Sequence, residues 1–155
     1  MAAPYSDLGS LDDWLLAEAI AQAKRAISIE DKLTPEGVGR LGQPYVYLYA
    51  TLIFEGEVAN GGLHQFFDNT SGALAPVVRD ALRAMGLREY AAIMTQVIDS
   101  FGHEYPYSQQ VRLSRMDAAP DLQAVLHRSY DVVDVWSSEF ILARETYARK
   151  HGLIA

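Results

Sequence analysis

The chain has 155 residues, half of them hydrophobic and 21% charged, and no cysteine. That is the balance of one globular domain able to bury roughly 70% of the surface its unfolded form exposes, and it excludes disulfides, thiolate metal sites and thiol catalysis. A net charge of −7 disfavours direct binding to DNA or RNA, which depends on Lys and Arg neutralising phosphates, and makes a basic protein the expected partner.

The first twenty residues carry Asp7, Asp12, Asp13 and Glu18 but no Lys or Arg, so they lack the positive start of a signal peptide. A cytoplasmic protein is the expectation. Ser10 and Asp13 form a capping-box pattern ahead of Leu16, Ile20, Ala23 and Ile27 at helical spacing, which predicts a helix over about 11–30. Thr34 to Gln43 holds Pro35, Gly37, Gly39 and Gly42, a loop composition. Its Gly37-Val38-Gly39-Arg40-Leu41-Gly42 matches the dinucleotide fingerprint in letters only, because no strand precedes it and no parallel sheet can be built around it. No cofactor is expected.

Pro44 suits the first turn of a second helix. Tyr45 to Phe54 is apolar and aromatic all round, far short of the roughly twenty residues that span a membrane. Strand propensity is high there, but no partner strand is legible elsewhere, so a helix at the centre of a bundle is predicted. Exposed tyrosine left over on it would be buried by a homodimer.

Residues 60–67, Asn60-Gly61-Gly62-Leu63-His64-Gln65-Phe66-Phe67, are the most constrained stretch. The glycine pair can end one helix and re-aim the next. Leu63, Phe66 and Phe67 then share a face that should be buried, while His64 and Asp68 share another. A structural role is expected for the octet, with His64, Gln65 and Asn60 bonding backbone ends around the glycines. His64 with Asp68 also has the spacing of a base and its orienter, but only Thr70 and Ser71 stand near as nucleophiles. No catalytic residue is assigned, and a small hydrolase or transferase using His64 is the alternative. The four histidines, His64, His103, His127 and His151, are scattered, so no metal site is expected.

Further helices are predicted over Ala73 to Met85 with Gly86 as stop, Arg88 to Phe101 with Gly102 as stop, and Ser108 to Met116. Pro120 opens a long one carrying Val133, Trp136, Phe140 and Tyr147 inward, with Ser137-Ser138 as its one break. The sum is an all-α single domain over 1–155, a bundle of six to eight helices.

The octet, with Phe54-Glu55-Gly56-Glu57-Val58-Ala59 before it and Asn69-Thr70-Ser71-Gly72 after it, closely resembles the signature of the DUF4375 (DMP19-like) family, which includes a bacterial DNA mimic, with Leu63 where family members typically carry phenylalanine. The likeness runs over about 41–150, while residues 1–40 match only in being helical. It implies a helical fold and an acidic, non-catalytic interaction protein that occupies the DNA-binding site of a transcription factor. An immunity or antitoxin-like protein would use the same surface. Through residue 68 ten acids face Lys24, Arg25, Lys32 and Arg40, leaving −6, and the remainder carries −1. The expected partner-binding carboxylates are therefore Asp12, Asp13, Glu18, Glu30, Asp31 and Glu36.

Overall fold

A helix apolar on every side must lie among the others, and the segment beginning at Tyr45 does so. The computed structural model describes residues 8–155. They form α1 (Leu8–Ala26), α2 (Pro35–Gly39), α3 (Tyr45–Asp68), α4 (Ala75–Ala84), α5 (Arg88–Ser100), α6 (Gln109–Asp117), α7 (Pro120–Arg128) and α8 (Ser138–Lys150), with 3₁₀ turns at Thr70–Leu74 and Ser129–Asp131. No strand occurs among the described residues, and none of their helices is long and apolar enough to cross a membrane. The α3 helix packs on α1, α2, α4, α6 and α7, and α8 closes the bundle against α1.

Helix α3 is two arms. Gly61 (φ −153°, ψ 19°) and Gly62 (φ 72°, ψ −174°) leave helical geometry, and the second arm returns along the first. In a straight helix Phe54 and Phe66 would stand about 18 Å apart, yet their ring centroids are 5.5 Å apart, edge to face. Phe66 meets Phe67 in the same manner at 5.3 Å, and Phe67 continues to Phe101 at 5.8 Å. Phe140 of α8 lies 6.3 Å from Phe54 and stacks on Tyr90 of α5. These phenylalanines are fully buried or nearly so, and removing such a ring typically costs about 3–5 kcal/mol.

Several boundaries differ from expectation. The α1 helix is already formed at Leu8, so Ser10 lies inside it rather than capping it. Ile20 points outward, 37% exposed. The glycine-rich loop contains a short helix, α2, because Thr34 accepts from the Gly37 N–H and Pro35 stands in the first turn. Pro44 is the N-cap of α3 rather than a residue of its first turn. The long helix expected after Pro120 does break at Ser137-Ser138, where α8 starts from the Ser137 cap, whose hydroxyl accepts from Phe140 N–H, but its first part already ends at Arg128, and the Ser129–Asp131 turn and a non-helical stretch over 132–136 stand between. Trp136, expected inward, sits on that stretch at 71% exposure.

A buried ion cluster ties α1, α3 and α8 together. Arg144, with no exposed surface, sets Nη2 2.7 Å from Asp12 Oδ2 and 2.6 Å from Glu55 Oε2, and its guanidinium lies 4.5 Å from the Phe140 ring centroid. Asp12 is therefore an internal residue, 4% exposed, and not part of a partner-binding surface. Burial pushes its carboxyl up from 3.8 to about 6 against the attraction of Arg144, with Glu55 and Glu145 adding to the rise. A folded-state value above the unfolded one means that this group's contribution to stability is complete below about pH 3.8 and is lost as pH rises through about 6. Thermal melts at about pH 4 and about pH 7.5 should show wild type losing more stability than Asp12→Asn over that interval; parallel changes would mean that burial does not penalise the charge.

Candidate functional site

The bend in α3 is held by a polar network centred on Glu57, on the first arm. Its Oε2 accepts from Gln65 Nε2 at 2.7 Å and Asn69 Nδ2 at 2.9 Å, and its Oε1 accepts from Ser71 Oγ at 2.9 Å. Asn60 Nδ2 donates to Gln65 Oε1 at 3.1 Å. The octet's amides thus bond each other and one carboxylate, not the free backbone ends expected from the sequence. Backbone at the far end of α3 is satisfied by a residue with no sequence signal. Buried Arg112 donates to the carbonyls of Phe67, Asn69, Pro106 and Tyr107 at 2.7–3.1 Å.

Of the two glycines, only Gly62 has a positive φ. It faces Tyr130, whose ring atoms would come within 2.6–2.8 Å of a β-carbon placed there, and Tyr130 Oη donates to the Gly61 carbonyl at 3.3 Å. Gly61 has a negative φ, −153°, and its constraint is the neighbouring Gln65 side chain. Tyr130, 60% exposed, therefore straps the bend from outside. Between the strap, the bend and residues 133–136 lies a groove of about 490 Å³, with Trp136 at its mouth.

The octet's apolar members, Leu63, Phe66 and Phe67, are buried as the periodicity requires. His64 Nδ1 lies 3.0 Å from Asp68 Oδ2, both side chains more than a third exposed, so the pair adds little to stability. It shares an open depression with Asn60, Gln65 and Tyr130. The nearby hydroxyls are engaged: Ser71 is buried on Glu57, and Thr70 donates to Gln109 at 3.3 Å.

The expected partner-binding carboxylates are not one surface. Asp12 is internal, as above. Asp13 and Glu18 lie on α1, and Glu18 is 3.9 Å from Arg25. Glu30, Asp31 and Glu36 sit together on the segment between α1 and α3. Asp31 bonds Arg40 at 3.0 Å and Ser28 at 3.1 Å, and those two hydrogen bonds hold its carboxyl below the usual range. Asp13, Glu30 and Glu36 are exposed and make no ion pair among the described residues. Part of the −6 counted through residue 68 is thus absorbed inside, by Asp12 and Glu55 at Arg144 and by Glu57 at the bend.

Glu57→Ala would strand the donors of Gln65, Asn69 and Ser71, and hydrogen bonds to a charged group are worth about 1.5–3 kcal/mol each. Chemical denaturation should therefore place the variant at least about 2 kcal/mol below wild type, and an unchanged midpoint would show that the network does not hold the bend.

Comparison with curated proteins and with solved structures gave no match. The family model described as DMP19-like protein matches residues 39–151, which take in the whole of α3, its bend and every element packed on it except α1 and all of α2 but Gly39. The chain belongs to the DMP19-like protein family.

Proposed function

We propose that the chain is a non-catalytic, cytoplasmic interaction protein that sets carboxylates where a basic protein, such as a DNA-binding transcription factor, would otherwise receive phosphates. The observation that carries this reading is the exposed set Asp13, Glu30 and Glu36, free of ion pairs among the described residues, in the half of the chain that holds −6 of the −7 net charge. Family membership is in keeping with it. Carboxylates satisfy Arg and Lys side chains through charge-assisted hydrogen bonds, as phosphate oxygens do, and complementary potential acts first on the rate of encounter. An immunity or antitoxin-like role would use the same surface against a basic enzyme.

The His64–Asp68 pair at 3.0 Å is what favours a second, enzymatic reading. In it His64 is a general base oriented by Asp68, and a substrate or water would supply the nucleophile that Ser71 and Thr70 do not.

The partner is to be captured from native cytoplasm with the intact chain. Against that partner, Asp13→Lys, Glu30→Lys and Glu36→Lys combined should slow association roughly tenfold, and added salt should weaken wild-type binding. The helical circular dichroism spectrum should not change. Affinity indifferent to both salt and charge reversal would refute the electrostatic reading. Loss of function in His64→Ala at unchanged stability would favour the enzymatic one.

A further inference from the structure

The groove beside the α3 bend combines features that the acidic first half of the chain does not explain. Two aromatic side chains stand exposed on it, Tyr130 at 60% and Trp136 at 71%. Single exposed apolar residues are ordinary, but a tryptophan left in water beside a groove forgoes the large burial its ring offers. Val58, Leu63, Val133 and Val135 form the apolar lining. Asp131 and Asp134 are the charged residues of that lining, and no Lys or Arg joins them. Asp134 Oδ1 accepts from the Trp136 N–H at 3.0 Å, fixing the turn that carries the indole. Asp131 is exposed, and its carboxylate accepts no hydrogen bond among the described residues. The first arm of α3 also ends here, with Asn60, Gly61 and Gly62 on the groove wall, and a helix C-terminus carries partial negative charge.

We propose that this groove seats an arginine side chain of a protein partner. Cations are drawn to the faces of Trp and Tyr. Arginine adds to that charge a planar, weakly hydrated guanidinium that stacks on rings and bonds carboxylates two atoms at a time, which the compact and strongly hydrated lysine ammonium does not. Phosphate and nucleic acid are repelled by the two carboxylates, and a purely apolar segment would leave them desolvated without a counter-charge. At about 490 Å³ the space falls within the roughly 300–1,000 Å³ of small-ligand sites, enough for one long side chain with its flanking backbone. Tyr130 holds its place through Gly62 and the Gly61 carbonyl, so the bend that builds the core also shapes the seat. The inference rests on the reading of a basic partner and adds where one of its cations is held, on stretches of the chain apart from Asp13, Glu30 and Glu36.

The test uses the full chain and a blocked tripeptide, acetyl-Gly-Arg-Gly-amide, with its citrulline counterpart as the uncharged isostere. The indole N–H of Trp136 is followed by nuclear magnetic resonance, with Trp14 as the internal control. The arginine peptide should shift the Trp136 signal saturably and leave that of Trp14 in place, and citrulline should do neither. Asp131→Asn together with Asp134→Asn should weaken the response roughly fivefold, as expected for two solvent-facing charge contacts. Asp131→Asn alone repeats the comparison without touching the turn. Equal responses to arginine and citrulline, or an undiminished response in both variants, would overturn the proposal. So would a Trp136 signal that moves with protein concentration and not with peptide, since a second copy would then cover the groove. A silent groove alongside a sustained effect of reversing Asp13, Glu30 and Glu36 would remove this site and leave the basic-partner reading standing.

Discussion

Everything in this fold depends on α3 turning back on itself at Gly61 and Gly62. The two arms are individually short, and neither could bury its aromatic residues alone. Folded together they bring Phe54 to 5.5 Å from Phe66, and α4, α5 and α8 assemble on the resulting column of rings. The reversal needs a left-handed residue at Gly62, where φ is 72°, and a missing side chain where the Tyr130 ring comes against the backbone. Only glycine meets both demands. Glu57 then locks the arms by accepting from the second arm and from the turn that follows it.

The same bend governs what the surface can offer. It orients His64 and Asp68 outward, holds Tyr130 across the groove, and places the end of the first α3 arm beside Asp131 and Asp134. Charge in this protein is divided between inside and outside more than the acidic composition suggests. Arg144 draws Asp12 and Glu55 inward at a desolvation cost that makes the cluster a device for joining helices more than a source of net stability. What remains exposed on the first half is a smaller set, and a separate pair of carboxylates lies on the second half beside two aromatic rings.

The sequence made the helical class, the inward face of the octet and the stops at Gly86 and Gly102 legible, because helical periodicity and glycine at a left-handed C-terminal position are local signals. The burial of Leu63, Phe66 and Phe67 follows from their spacing alone. The partners of the polar residues were not legible, since Arg112 and Arg144 reach carbonyls and carboxylates up to 132 positions away, and no local pattern announces that a charged residue will be internal. For the same reason Asp12 reads as a surface carboxylate until α8 is folded against α1. Trp136 was misplaced because its spacing fits a continuous helix, whereas the Ser129–Asp131 turn shifts the register and Ser137 begins the helix anew. The seat of Tyr130 on Gly62 links residues far apart in the chain and left no trace in the octet beyond the glycine itself.

The central claim is that Gly62 is required because the chain reverses there with Tyr130 seated on it, and a double-mutant cycle between Gly62→Ala and Tyr130→Ala tests this most directly. If the ring and a methyl group at position 62 compete for the same space, Gly62→Ala should cost less once the ring is gone, with a coupling of about 1–2 kcal/mol in the range found for residues in contact. The cost left over should be the roughly 1–3 kcal/mol of holding an L side chain at positive φ with ψ near 180°. Strictly additive effects in the cycle would contradict the account.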